Sequence, residues 1–489
     1  MSLWLTDNLY FYYSAEVLLS LYLLCFIFYT LILNNLINLS YPPLLASMVS
    51  ATVFIIISII LLFAVNDGQI TGNLLSNISN VTLLNLAFKV LLLLSVIMLQ
   101  LVSRKILKSL LVFKYEYDLL IVFAILGLAL LNECDDFLMF YLAIELQSLS
   151  FYVLATFNKQ TEFNAESGLK YFILGALSSC FLLYGFSLVY IVFGSIEFQS
   201  VTKFSVSNTF TIYWSFSFIF IALFFKLGVF PFHQWLCDVY EGSLITVTAF
   251  FAIVPKVIIF SVFLKLTCNI FISFYKKTGF IVAFFSLSSI SFASVTALFQ
   301  KRLKRLLAYS AISHTGFILL AISCNSIESF KAFIVYIVVY IIMTTAVFTL
   351  IFISSNNAAI PKYLTNWTSF ASQNVLVAFT FGIMLFSMAG IPPFAGFFSK
   401  LCVFFCLLSK SYVFSSICVA FFSSVACFYY IRLIKVFFFV DGSKNSYWVG
   451  YSNSFDQIYA SFAIFFVAAL LNHLPSLLNV AFLVSFSII

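Results

Sequence analysis

The chain has 489 residues, of which 63% are hydrophobic and 8% charged, whereas soluble domains run at about 45–50% apolar and about a quarter charged. That balance excludes a water-soluble globular protein. Lys plus Arg at 24 against Asp plus Glu at 17 leaves a net charge of +7, and with no basic run interleaved with aromatics it offers nucleic acid no surface.

Residues 1–13 carry no basic region and no small-residue cleavage site follows, so no removable signal or transit peptide is expected. An apolar stretch of about 20 residues crosses a bilayer as a helix, because the segment must satisfy all its own backbone polar groups. Such runs fall near 14–33, 44–65, 81–103, 117–132, 137–157, 167–193, 211–236, 244–267, 278–299, 304–324, 330–354, 373–408, 411–439 and 456–472. They predict an all-α polytopic membrane protein with about 14 transmembrane helices. The twelfth run is too long for one straight span and predicts a broken helix. Residues 477–489 are too short to span and are expected against the bundle or the interface. Ten cysteines, among them Cys180, Cys268, Cys402 and Cys406, lie mostly in apolar runs without a C-x-x-C pair and read as small buried hydrophobes. The 65 Phe residues fit an AT-rich, compact genome of the organellar kind.

Lys and Arg collect on the side from which a loop is not translocated. Arg104, Lys105, Lys108 and Lys114 follow the third span, and Lys301, Arg302, Lys304 and Arg305 follow the ninth, which puts both groups on one side. Glu133, Asp135 and Asp136, after the fourth span, fall opposite. With fourteen spans, both termini then face away from the compartment of synthesis.

An internal repeat is also visible. Gly228-Val-Phe-Pro231-Phe232 in the seventh span and Gly390-Ile-Pro392-Pro393-Phe394 in the twelfth share G-x-x-P-F about 160 residues apart, and Tyr141-x-x-Ile144 matches Tyr309-x-x-Ile312 at a similar offset. A shift of five helices reverses direction across the membrane. Paired, Pro-interrupted spans of this kind mark inverted repeats whose broken helices expose backbone near the midplane.

Ionisable groups inside spans carry the most information, since each costs roughly 2.5–3.5 kcal/mol at a helix centre. Glu145 shares a face with Tyr141, Ser148 and Tyr152 at steps of four, three and four. Lys226 stands five residues before Pro231, Lys256 directly follows Pro255, Lys400 follows Pro392 and Pro393, and His314 lies one turn beyond Ser310. Pro231, Pro255, Pro392 and Pro393 are the expected helix breaks. Lys89, Lys265 and Lys410 are expected to snorkel to the interface. Glu166 and Lys170 form an i,i+4 pair, read either as a local salt bridge or as the mouth of a path. A buried lysine gains or loses its proton according to whether a carboxylate stands beside it, so Glu and Lys in series suit proton movement. No Walker motif, dinucleotide fingerprint or metal-ligand spacing of His233, His314 and His473 is present in the sequence.

The segments FYLAIELQSLSFYVL, AESGLKYFILGALSS, FKLGVFPFHQWLCDVYEGS, QKRLKRLLAYSAISHTGF and GIPPFAGFFSKL closely resemble the subunit 2 family of respiratory NADH:ubiquinone oxidoreductase, complex I, in its mitochondrial form. The resemblance runs from about Leu119 to Lys435. It implies a membrane-arm subunit of a proton-translocating enzyme with two inverted five-helix repeats. The implied layout is 1–116 for three N-terminal transmembrane helices, 117–267 and 278–439 for the antiporter-like repeats, and 440–489 for a C-terminal helix and tail. The family's proton path would fall on Glu145 and Lys226 as the input pair, Lys256 as the bridging lysine, His314, and Lys400 on the output side, with Glu166 and Lys170 at the start of the sixth helix.

The resemblance further implies that this chain binds no cofactor. NADH, FMN, iron–sulfur clusters and ubiquinone would belong to partner subunits. Partners would be other membrane-arm subunits, including antiporter-like subunit 4 and the small membrane subunits, and lipids such as cardiolipin. The location would be the mitochondrial inner membrane, with both termini on the intermembrane-space side. Leu244 and Ile245 stand where relatives carry Pro, which implies a less kinked start to the eighth helix. Two other readings stay open from the residues: a free-standing cation/proton antiporter, and a structural spacer whose charges only hold helices together.

Overall fold

A computed structural model describes residues 14–36, 79–109, 115–158, 161–198, 201, 209–270, 275–354, 361–368, 370–373, 375–440 and 474–486. The fold is all-helical and polytopic. In chain order the main helices are α1 Ser14–Leu36, α2 Ser79–Ser109, α3 Tyr115–Glu133, α4 Phe137–Ala155, α5 Glu162–Phe193, α6 Thr209–Leu227, α7 Gln234–Gly242 and α8 Ile245–Lys265. They continue as α9 Tyr275–Leu298, α10 Leu303–Ile322, α11 Ile327–Ser354, α12 Val375–Ala389, α13 Ala395–Ser409, α14 Val413–Phe439 and α15 Leu474–Phe486. Among the described residues, ten helices are long and apolar enough to cross a membrane, with Glu16–Phe28 of α1, α12, α13 and α15 shorter apolar ones. The spans expected at 44–65 and 456–472 lie outside the described residues. Arg104, Lys105 and Lys108 were expected in a loop, but α2 runs on to Ser109 and includes them, because Arg and Lys are good helix formers.

The chain packs as two units, Met1–Ala222 with Val257–Phe263, and Leu223–Lys256 with Leu264–Ile489. In the first unit α3 packs along α4, and α4 against α5. In the second, α9 and α10 pair closely, α11 lies against α13 and α15, and α14 against α9 and α12. Gly316 is what lets α10 approach α9, since a Cβ there would stand 2.4 Å from Ser289 Oγ and 3.0 Å from the Ser286 carbonyl. That contact seats the helix carrying His314. The C-terminal α15, too short to span, lies against α11, with Lys331 Nζ 3.9 Å from the centre of the Phe482 ring.

Both G-x-x-P-F segments end a helix in the same way. Gly228 (φ 73°) and Gly390 (φ 82°) adopt the left-handed conformation that suits glycine. At each, the glycine N–H returns to the carbonyl three residues back and the next N–H to the carbonyl five back: Gly228 to Phe225 and Val229 to Phe224, Gly390 to Ser387 and Ile391 to Phe386. This Schellman closure satisfies carbonyls that a helix ending inside a bilayer would leave exposed. Pro231 and Pro393, three residues past each glycine, follow cis peptide bonds. The long twelfth run is thereby split into α12 and α13, as its length predicts.

Pro255 is a correction. It was expected as a break but lies inside the unbroken α8. A proline removes one N–H, here the helical partner of the Phe251 carbonyl, and crowds the preceding turn, yet α8 stays helical through it; one residue on, the Tyr340 hydroxyl donates to the Ala252 carbonyl at 3.1 Å.

Candidate functional site

The second unit holds a continuous set of buried polar side chains. Lys256, on α8, is 3% exposed, and its Nζ donates to the Tyr340 hydroxyl at 3.3 Å. Tyr340 and Tyr336, one turn apart on α11, both adjoin His314 of α10, with ring centroids 5.6 Å and 6.0 Å from the imidazole. His314 Nδ1 lies 2.9 Å from the Tyr336 hydroxyl, and its Nε2 lies 3.2 Å from the Tyr430 hydroxyl of α14. A neutral imidazole donates from one nitrogen and accepts at the other, so with a hydroxyl on each side both nitrogens of His314 have a partner whichever tautomer it holds. A cavity of about 10 Å³ lies beside it, lined by Ala252, Ser310, His314, Tyr340 and Met388. That is room for about one water molecule.

Lys400 lies in the same unit. It is buried near the start of α13, and its Nζ donates to the carbonyls of Met388 at 3.0 Å and Ala389 at 2.7 Å. These are the last two carbonyls of α12, where the helix dipole favours a cation. The ammonium also lies 5.7 Å from the centre of the Phe317 ring, a cation–π distance. Gly390 leaves the space that Lys400 occupies, since a Cβ there would stand 2.9 Å from Lys400 Cδ and 3.0 Å from Nζ. Gly390→Ala is therefore expected to destabilise this half by about 1–2 kcal/mol through its left-handed backbone alone and to push the ammonium off the two carbonyls. Faster thermal inactivation of the detergent-solubilised protein, together with reduced activity, is the measurement that checks it.

The other expected site residues are placed as follows. Glu145 belongs to the first unit, half-buried on α4, and accepts a hydrogen bond from Ser148 Oγ at 3.2 Å. Tyr152, on the same stripe, is buried edge-on against Tyr171 at 4.9 Å. Lys226 belongs to the second unit and is half-buried in the last turn of α6, two residues before Gly228. Glu166 and Lys170 form a 2.6 Å ion pair with both side chains exposed, the kind worth little as a structural contact. Trp235 Nε1 donates to the Phe225 carbonyl at 2.8 Å, fixing α7 onto the end of α6. At its other end, α7 is tied down by Arg302 and Arg305 through Asp238 and Glu241, and Lys304 donates to the Ser243 carbonyl at 2.7 Å.

Some groups escaped sequence reasoning. Tyr336, Tyr340 and Tyr430 are three of 26 tyrosines, and nothing local distinguishes them. Lys89 does not snorkel. It is buried on α2 with its ammonium 2.7 Å from Glu16 of α1 and also paired with Glu133 of α3, both carboxylates buried. The pull of two anions overrides the tendency of a long side chain to reach for the interface. Beside them, Asn132 Nδ2 donates to the Asn85 carbonyl at 2.8 Å, and Ser261 Oγ donates to Asn132 Oδ1 at 2.9 Å. Lys265, also expected to snorkel, is buried as well, whereas Lys410 is exposed.

An all-helical membrane bundle with buried lysines and a buried histidine beside paired broken helices fits the class of antiporter-like membrane proteins. Residues 134–428 match the family described as NADH:quinone oxidoreductase/Mrp antiporter, TM. The chain belongs to this family, and the curated relatives place it with the subunit N and chain 2 members. It is 39% identical over 382 residues to NADH-quinone oxidoreductase subunit N of Pelagibacter ubique, covering 78% of this chain and 79% of that one. It is 36% identical over 423 residues to NADH-ubiquinone oxidoreductase chain 2 of Marchantia polymorpha, covering 84% of each. The fold matches a chain of the archaeal membrane-bound sulfane sulfur reductase at a TM-score of 0.82 and 20% identity, over 97% of both chains. It also matches a chain of respiratory complex I from Thermus thermophilus at 0.76 and 22% identity, over 95% of this chain and 98% of that one.

Proposed function

We propose that this chain is a proton-translocating membrane-arm subunit of respiratory NADH:ubiquinone oxidoreductase, a multi-pass protein of the mitochondrial inner membrane. The observation that carries the proposal is His314 held between two tyrosine hydroxyls, in the same unit as the buried Lys256 and Lys400. In this reading Glu145 and Lys226 are the input groups, Lys256 and His314 the bridge, and Lys400 the output group. A water in the cavity carries a proton between the Lys256 end and His314. The imidazole accepts a proton at one nitrogen and releases one from the other. Driving one charge against 100 mV takes about 2.3 kcal/mol, and making or breaking a carboxylate–lysine contact at about 4 Å is worth roughly 4 kcal/mol at an effective dielectric near 20, so the magnitudes suffice.

The matching closures at Gly228 and Gly390 support two inverted five-helix repeats, 117–267 and 278–439, within a fourteen-helix bundle. The basic residues at 301–305 support an orientation with both termini on the intermembrane-space side. The partners in this reading are the other membrane-arm subunits, antiporter-like subunit 4 and the small membrane subunits among them, and the redox chemistry stays with partners.

Glu145→Gln and Lys226→Ala, each in an assembled complex reconstituted into vesicles, are expected to lower the protons moved per electron. Unchanged pumping in both would leave the chain a spacer. Purification in mild detergent supplies the second arm. The chain should migrate with NADH-oxidising activity, and migration alone would favour a free-standing antiporter.

A further inference from the structure

Pro392 and Pro393 explain why Lys400 finds two open carbonyls at the end of α12. In a continuing helix the Met388 and Ala389 carbonyls would accept from the N–H groups four residues on. Those positions, 392 and 393, are both proline and have no N–H to give. The two acceptors are thus left to donors from outside the helix, and a carbonyl without a donor is costly in an apolar bundle. The Lys400 ammonium reaches both.

A second donor shares this seat. Cys427, part-buried on α14, donates its thiol to the same Ala389 carbonyl, with sulfur and oxygen 3.3 Å apart. The thiols of Cys134 and Cys324 turn back to the carbonyls of Leu131 and Leu320, three and four residues earlier, the local bond that a helix offers. Cys427 instead reaches a different helix, 38 residues away in sequence. The Ala389 oxygen therefore has one strong, charge-assisted partner and one weak, neutral one.

We propose that Cys427 is a positioning residue for Lys400: its thiol keeps the Ala389 carbonyl satisfied when the ammonium gives it up, which frees Lys400 to exchange its proton. Cys427 has this role only if Lys400 is the output group proposed above. In the output step the ammonium passes one proton to water and is left as a neutral amine, and a neutral donor holds a carbonyl roughly half as strongly as a charged one. Without Cys427, departure of the lysine would strand the Ala389 oxygen. A thiol, a weak donor, yields the carbonyl to the ammonium and covers it in the ammonium's absence.

The test uses the assembled complex in vesicles, with acidification followed beside NADH oxidation. Cys427→Ala should slow NADH-driven pumping by about threefold, the worth of one neutral hydrogen bond, with thermal inactivation unchanged. Cys427→Ser, which keeps a donor at that position, should recover most of the rate. Cys418→Ala, nine residues earlier and on the opposite side of α14, should pump as wild type. Wild-type pumping by Cys427→Ala would overturn the proposal, and so would a Cys427→Ser variant no faster than Cys427→Ala. Lys400→Met separates the two roles and should lose more pumping than Cys427→Ala. Normal pumping by Lys400→Met would remove the output role and with it any need for Cys427. Loss in Lys400→Met beside normal pumping in Cys427→Ala would leave the output role standing and overturn that of Cys427 alone.

Discussion

Lys256→Met in the assembled complex is expected to reduce NADH-driven proton pumping by about tenfold or more, equivalent to about 1.4 kcal/mol or more added to the barrier. The reason is positional. Lys256 is buried on α8 with its ammonium on Tyr340, and the cavity beside Tyr340 is also lined by His314, so on the proposed path a methionine would leave no carrier at that end. Lys256→Arg sharpens the test. Arginine keeps the positive charge but does not release a proton under physiological conditions. It should therefore fail to restore pumping, whereas Tyr340→Phe, which keeps the lysine and removes one hydrogen-bond partner, should give an intermediate loss. Pumping is followed as dye-reported acidification beside NADH oxidation in the same vesicles. Wild-type pumping by the arginine variant would mean that charge alone suffices, and the row would not be a proton carrier.

The largest effect on stability is expected at Lys89. Lys89→Met leaves the Glu16 and Glu133 carboxylates buried together without their shared cation. Removing one member of a buried ionic cluster costs about 3–5 kcal/mol, whereas replacing all members by neutral groups of similar volume is often close to neutral. The single variant should assemble poorly, seen as a loss of the complex on native gels and a lower inactivation temperature. The triple variant Lys89→Met, Glu16→Gln, Glu133→Gln should recover most of the loss. Failure of the triple variant where the single fails would point to a need for the charges themselves rather than for their balance.

The sequence made the spans legible where a bilayer imposes one rule, about 20 apolar residues per crossing, and α11 and α14 fall where their apolar runs do. The broken helices were legible because G-x-x-P-F joins a left-handed glycine to a residue that cannot continue a helix. Pro255 misled because a proline costs one N–H but need not end a helix that its neighbours bury throughout, and those neighbours, Tyr340 among them, lie far away in sequence. The same distance problem hid the tyrosines around His314 and the partners of Lys89. A lone lysine in an apolar helix announces that something must face it, but Glu16 and Glu133 are separated from it by 73 and 44 residues (89 − 16 and 133 − 89). No local pattern says which acidic residue will meet it.

The Glu16–Lys89–Glu133 cluster bears on biogenesis. As the chain leaves the ribosome, α1 arrives with a carboxylate in its first turn, a group that membrane insertion disfavours, and its cation is synthesised only with α2. Until then the leading segment has little reason to leave the insertion machinery. The acid on α3 arrives last and finds the lysine already committed to a neighbour. These three segments are thus expected to partition into lipid as a set, completed when Glu133 is translated, and the N-terminal helices cannot be trimmed away without leaving a stranded anion on the remainder.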